Sequence, residues 1–240
     1  MPLIPNPEVE VLLPVHNEGD SIEATIRELY EEFSPRVRVQ FIVCEDGSKD
    51  NTKEVLTRLD QTLPMNLELS DARKGYSRAV VDGMMKMRAP YLLCIDSDGQ
   101  CDPKDFWQFW EAREKADVLL GWRTQRADNP MRKLMSRGFF YIYQLFYHVP
   151  IHDPSCPYML ARKEVVQQIA PFQKEMKQGF WWEYVARCHL AGFSIKEFPI
   201  HHRDRAAGET QVYKLRKLPE IGYKHFMALF KIRQQKRLVP

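Results

Sequence analysis

From Val9 to Leu120 the chain alternates short apolar runs with segments of helical period, and this alternation constrains the fold more than any other feature of the sequence. A helix between two successive strands returns the chain to the same edge, so the strands it joins run parallel and are covered on both faces. The runs Val9 to Pro14, Val39 to Cys44, Met65 to Leu69, Tyr91 to Ile95 and Asp117 to Leu120 are the predicted strands. Between them, Asp20 and Glu23 make a capping-box-like pair ahead of a helix with Ile22, Ile26, Leu29, Tyr30 and Phe33 on one face. Further helices are predicted over Asn51 to Leu59, over Tyr76 to Met87, and around Phe106, Trp107, Phe109 and Trp110. The expected class is α/β, a Rossmann-like, mainly parallel central sheet flanked by helices.

In such sheets ligands collect beyond the carboxyl ends of the strands. Three polar clusters lie at those ends: His16-Asn17-Glu18, Glu45-Asp46-Gly47-Ser48 and Asp96-Ser97-Asp98-Gly99-Gln100. The last joins two carboxylates and an amide oxygen, hard ligands for a divalent cation such as Mg²⁺ or Mn²⁺. Side chains two apart on a strand point to opposite faces, about 6.5 Å apart along it, so a shared ion needs a turn, which Gly99 permits. The alternative is a loop of helix-capping acids, with Asp102-Pro103 as N-cap and first helical residue. There is no GxGxxG or Walker-type loop, which disfavours a dinucleotide cofactor or a P-loop.

A chain of 240 residues, 44% apolar, can bury one large core or two small ones. A formal charge of +3 does not call for nucleic acid, but basic residues crowd at Arg123, Arg126, Arg132, Lys133 and Arg137 and again at Lys231, Arg233, Lys236 and Arg237. Local basicity suits a phosphate or an anionic membrane surface. No apolar run approaches the ~18–20 residues of a membrane span, and Met1 to Pro5 lacks the pattern of a secretory signal. The expected location is the cytoplasm, peripherally on the inner face of a membrane. The five scattered cysteines read as reduced structural thiols. His148, His152 and Cys156 recur every four residues, but Pro150 and Pro154 break any helix that would gather them on zinc. Met131 to Val149 mixes Arg132, Lys133 and Arg137 with many aromatics, and residues 216–235 form a second basic amphipathic segment. Each is either a helix lying in a membrane interface or a helix docked on the core.

Taken together, these residues resemble the inverting family-two glycosyltransferases of GT-A fold. Val11 to Glu18 is similar to that family's opening strand, Glu45 to Thr52 to its acidic second loop, Lys74-Gly75 with Ala79 to the segment that follows, and Asp96-Ser97-Asp98 to its metal motif. Gln100, Gly121-Trp122-Arg123, the basic run Met131 to Arg137, Asp153 to Leu160 and Pro199 to Gly208 narrow the resemblance to the polyprenyl-phosphate glycosyltransferases, the dolichyl-phosphate mannose synthase type among them. His16, Glu45, Pro157 and Glu209-Thr210-Gln211 depart from that subgroup's usual residues. The transmembrane tail of many relatives is not expected.

The resemblance implies one GT-A domain over 1–210, its donor-binding half at 9–122 and its acceptor-binding half at 123–210, followed by a basic amphipathic helix at 211–240. It implies Asp96, Asp98 and Gln100 as ligands of Mg²⁺ or Mn²⁺. Pro14, His16, Glu18, Glu45, Asp46, Lys74, Asp96 and Ser97 would bind a nucleotide-sugar donor, GDP-mannose first and UDP-glucose next. Arg123, Arg132, Arg137 and Arg205 would grip a polyprenyl phosphate, with Asp98, Arg123 and Arg137 the catalytic set. A lipid phosphate with a second pKa of about 6 is largely ionised at neutral pH and needs no general base. A hydroxyl acceptor would need one, and Glu183 and Asp153 are the candidates, while Trp181 and Trp182 either stack on a sugar face or pack as buried aromatics. The resemblance also allows a membrane-anchoring partner protein. A scaffold that binds nucleotide without turnover is the reading outside enzymes.

Overall fold

The computed structural model describes residues 3–124, 130–203 and 218–235. Strands β1 (Val9–Val15), β2 (Val39–Glu45), β3 (Met65–Glu68), β4 (Tyr91–Cys94), β5 (Val118–Arg123), β6 (Met159–Arg162) and β7 (Ile195–Ile200) form one sheet of order β3-β2-β1-β4-β6-β5-β7. β1 pairs in parallel with β2 and β4, β2 with β3, and β5 with β7, while β6 runs antiparallel between β4 and β5. Every residue of β1 and β2 is buried, the signature of central strands covered on both faces. The sheet is thus the mainly parallel, helix-flanked α/β sheet expected.

β6 and β7 were not expected from the pattern. β6 is short, follows Pro154 and Pro157, and sets Met159, Leu160 and Ala161 in an unbroken row before Arg162, so no period of two develops. β7 reads as polar, with Lys196, Glu197 and Pro199, because it is an edge strand, where a missing N–H costs no ladder bond.

Side chains alternate between two apolar layers. Val9, Val11, Leu13, Phe41 and Leu93 face α1 (Ile22–Phe33), α2 (Thr52–Asp60) and α4 (Phe106–Ala112). Leu12, Ile42, Leu92 and Leu120 face α3 (Tyr76–Met84), α5 (Pro130–Tyr147), α6 (Lys163–Ile169), α7 (Phe180–Leu190) and α8 (Leu218–Gln234). The Asp20 and Glu23 cap is corrected. The helix begins at Ile22 with Ser21 at its N-cap, and the Ser21 hydroxyl turns back to donate to Glu18 Oε2 at 2.9 Å. Glu23 pairs instead with Arg27 and Arg58. Asp20 lies outside a turn already closed by Ile22 N–H donating to Glu18 O at 2.9 Å.

α5 and α8 each dock one face on the core and leave the other open. Tyr143 and Tyr147 of α5 and Ala228, Leu229 and Ile232 of α8 are buried in the core, and the Tyr147 hydroxyl donates to Leu229 O at 2.7 Å. Their outer faces leave Tyr141, Leu145, Tyr223, Phe226 and Phe230 exposed, with Arg137, Lys224, Lys231 and Arg233 among them. Among the described residues no helix is long and apolar enough to cross a membrane. All five cysteines are buried free thiols.

Candidate active site

Because β2, β1 and β4 are parallel neighbours, their carboxyl ends bring the three polar clusters side by side. The first two loops are laced together. Asp46 N–H donates to Val15 O at 2.8 Å, Asn17 N–H to Ser48 Oγ at 2.9 Å, Lys49 N–H to Asn17 Oδ1 at 2.9 Å, and Glu18 N–H to Thr52 Oγ1 at 3.0 Å. Pro14 and His16 flank Val15 at this seam, and the Nδ1 atom of His16 is buried without a partner among the described residues.

Glu45 and Asp46 point inward and organise the segment that follows β3. Glu45 accepts the N–H groups of Ser48 and, at 3.2 Å, Ser70, with Lys53 Nζ at 3.9 Å. Asp46 accepts Lys74 N–H at 2.5 Å and Gly75 N–H at 2.9 Å. Gly47 sits at φ +65°, and a Cβ there would lie 2.4 Å from the Arg73 nitrogen, so only glycine lets the two backbones meet. The exposed Lys74 side chain reaches Asp82 at 3.5 Å.

Burial raises the pKa of Glu45, but the N–H groups of Ser48 and Ser70 and the charge of Lys53 outweigh it and hold it below its ordinary 4.5. A depressed folded value means that the unfolded chain binds this proton first as pH falls. The stabilisation is therefore complete above pH 4.5 and is lost as pH drops through the lowered folded value. Thermal melts of Glu45→Gln should show a lower Tm at neutral pH and a shallower fall below pH 4.5 than the wild type. Parallel acid limbs would contradict this.

At the end of β4 the chain makes the turn that the cation reading requires, with Gly99 at φ +71°. Ser97 is buried, and Asp96, Asp98 and Gln100 are half-buried. Asp98 Oδ1 accepts Gln100 N–H at 3.1 Å, leaving Oδ2 without a hydrogen-bond partner among the described residues. Gln100 donates its side-chain amide to Arg203 O at 3.1 Å and accepts Arg203 N–H at 2.8 Å on its own carbonyl, so Oε1 is its remaining donor atom. Two carboxylates and an amide oxygen on a glycine turn suit a hard cation that prefers oxygen, and Mg²⁺ and Mn²⁺ are of that type. Asp96 Oδ1 accepts the Tyr76 hydroxyl at 2.8 Å, and that hydroxyl oxygen accepts Trp181 Nε1–H at 2.8 Å. Tyr76 and Arg203 are site residues that composition and period did not single out.

Across the sheet, Arg123 closes β5. Its Nε and Nη2 donate to the two carboxylate oxygens of Asp153 at 2.8 and 3.0 Å, and Nη2 also donates to Ser155 Oγ at 2.8 Å. Nη1 takes no part in this fork. Glu197 of β7 accepts Asp153 N–H at 2.8 Å and so braces the same loop, while Trp122 stacks on His152 at 4.4 Å. Arg137 is exposed on α5. The Arg132 side chain and the whole of Arg205 lie outside the described residues.

Both base candidates are engaged in ion pairs. Glu183 is 1% exposed, pairs with the equally buried Arg187 at 2.7 Å, and accepts the N–H groups of Lys174, Glu175 and Met176 at 3.3, 2.9 and 2.7 Å. Its role is to hold the turn before α7, which corrects the expectation of a base there. Asp153 is committed to Arg123. Trp182 packs edge-on against Phe139 and Tyr143, each at 4.9 Å, and Trp181 is only 6% exposed, so both belong to the aromatic core rather than to an open stacking platform.

Residues 10–170 match the family model described as Glycosyl transferase family 2. The glycosyltransferase AglD of Haloferax volcanii is 28% identical over 228 residues, which cover 90% of this chain and 36% of that protein, so the chain spans little over a third of that relative. A dolichyl-phosphate beta-glucosyltransferase of Dictyostelium discoideum is 22% identical over 256 residues, covering 96% of this chain and 78% of that protein. Among solved structures, glucosyl-3-phosphoglycerate synthase of Mycobacterium tuberculosis, in complex with Mn²⁺, UDP-glucose and phosphoglyceric acid, superposes with a TM-score of 0.67 at 15% identity, over 95% of this chain and 80% of that one. Mannosyl-3-phosphoglycerate synthase of Rubrobacter xylanophilus gives a TM-score of 0.62 at 16% identity, over 96% and 75%. These neighbours share the GT-A fold.

Proposed function

The chain belongs to glycosyl transferase family 2, and from that membership we propose that it moves a hexose, with inversion, from a GDP- or UDP-linked donor to a polyprenyl phosphate at a membrane surface. The observation that carries this reading is the commitment of Glu183 and Asp153 to ion pairs. With both candidate carboxylates held in ion pairs, an acceptor that arrives already ionised fits the site better than one that needs a base. A phosphate monoester, with a second pKa of about 6, does so at neutral pH, whereas an alcohol does not.

Residues 9–122 form the donor half and 123–210 the acceptor half. Asp46 holds the Lys74-Gly75 backbone, and Pro14 to Glu18 with Ser97 complete the wall on which the nucleoside lies. Asp96, Asp98 and Gln100 would hold a divalent cation, which would supply positive charge against the diphosphate leaving group. Arg123, fixed by Asp153 and Ser155, presents Nη1 to the acceptor phosphate, and Arg137, Arg132 and Arg205 are assigned to the same phosphate from the sequence resemblance alone. The attacking phosphate oxygen forms the new bond to the anomeric carbon as the bond to the diphosphate oxygen breaks, and the nucleoside diphosphate leaves with the electron pair.

The exposed aromatic faces of α5 and α8, edged by Arg137, Lys224, Lys231 and Arg233, support peripheral attachment to an anionic membrane on its cytoplasmic face. The dolichyl-phosphate relative supports the lipid-phosphate acceptor. Incubating the protein with labelled GDP-mannose and UDP-glucose, a short polyprenyl phosphate and Mn²⁺ should give labelled lipid with one of the donors, and chelation should remove it. No transfer from either donor would overturn the reading.

A further inference from the structure

The ligand segment is tied to two distant elements by one short chain of hydrogen bonds. Trp181, in the first turn of α7, donates Nε1–H to the Tyr76 hydroxyl at 2.8 Å, and Tyr76, the first residue of α3, donates to Asp96 Oδ1 at 2.8 Å. A phenol has one hydrogen to give, and an indole N–H can only donate. With the indole on its acceptor side, the Tyr76 hydroxyl must turn its hydrogen toward Asp96. The geometry points to Tyr76 as a positioning residue for Asp96, with Trp181 fixing the phenol in that role. The inference rests on the proposal that Asp96 is a cation ligand.

The surroundings favour a fixed device over a chance contact. Gly75, next to Tyr76, is held by Asp46 at 2.9 Å, so α3 starts from a point tied to the second acidic loop. Ser77 Oγ donates to Lys177 O at 2.7 Å, and Phe180 packs edge-on against Tyr76 at 6.3 Å, which joins the start of α3 to the approach to α7. Tyr76 holds one carboxylate oxygen of Asp96 and so sets the direction in which the other is presented. Groups that orient metal ligands in this way typically matter 10–100-fold in metal affinity.

Calorimetric titration of the full chain with Mn²⁺, and with GDP and UDP in the presence and absence of Mn²⁺, tests the inference. Tyr76→Phe removes a single oxygen from a residue that is 37% exposed, so the fold should survive. It should weaken Mn²⁺ binding about tenfold and change metal-free nucleotide binding less. Trp181→Phe should weaken Mn²⁺ binding less, and the double variant should bind Mn²⁺ no more weakly than Tyr76→Phe alone, because the indole acts through the phenol. Wild-type Mn²⁺ affinity in Tyr76→Phe would overturn the inference while leaving the cation site standing, and additive losses in the double variant would overturn the role of Trp181. A wild-type protein that binds no Mn²⁺ would instead overturn the ligand reading of Asp96, and this inference with it. If Trp181→Phe does not fold, Tyr76→Phe decides alone.

Discussion

Asp98→Asn should slow sugar transfer about a thousandfold and leave the fold intact. Asp98 is half-buried beyond the end of β4, and among the described residues its carboxylate accepts a hydrogen bond from Gln100 N–H at 3.1 Å on Oδ1. Asparagine keeps that oxygen, so the Gly99 turn should persist and only the charge and one ligand oxygen are lost. Charge stabilisation by a bound cation is worth several kcal/mol in the transition state. At about 1.4 kcal/mol per factor of ten, kcat/KM should fall by about 10³ at saturating Mn²⁺. The stability change should stay within about 0.5 kcal/mol, as for most surface substitutions. A variant within tenfold of the wild type would show that Asp98 is a turn residue only.

Glu183→Gln should have the largest effect on stability. Its carboxylate and the Arg187 guanidinium are 2% and 1% exposed, and the carboxylate also accepts three backbone N–H groups from residues 174–176. Removing one partner of such a pair leaves the other charge buried and uncompensated, at a cost of about 3–5 kcal/mol. For a chain of this length each kcal/mol lowers Tm by roughly 2–4 °C, so a fall of about 6–20 °C is expected. The turn that Glu183 holds leads directly to Lys177, whose carbonyl accepts Ser77, so the loosening should reach α3. A general base would behave in the opposite way, with kcat lost and Tm unchanged.

The first half of this molecule was legible because its central strands are buried on both faces. β1, β2 and β4 read as largely apolar runs, and each is followed by a polar cluster. The second half was not. β6 has no period of two to display, and β7 carries the composition of an edge. α5 and α8 looked ambiguous because they have two apolar faces, one docked on the sheet and one open. Within the site, Asp96, Asp98 and Gln100 announce themselves by chemistry and spacing. The acids Glu45 and Asp46 were visible, but their partners are backbone N–H groups of Ser48, Ser70, Lys74 and Gly75, which carry no sequence signature. Tyr76 and Trp181 lie 105 residues apart, and only the fold brings them to Asp96. Glu183 resembled a base in the sequence because a buried structural carboxylate and a catalytic one are the same letter.

The proposed acceptor is a phosphate that needs no base. Rates of labelled sugar transfer to a short polyprenyl phosphate and to the polyprenol of the same length, measured side by side with Mn²⁺ at neutral pH, test it most directly. Transfer to the phosphate with none above background to the alcohol is the predicted result, and comparable transfer to the alcohol would contradict it.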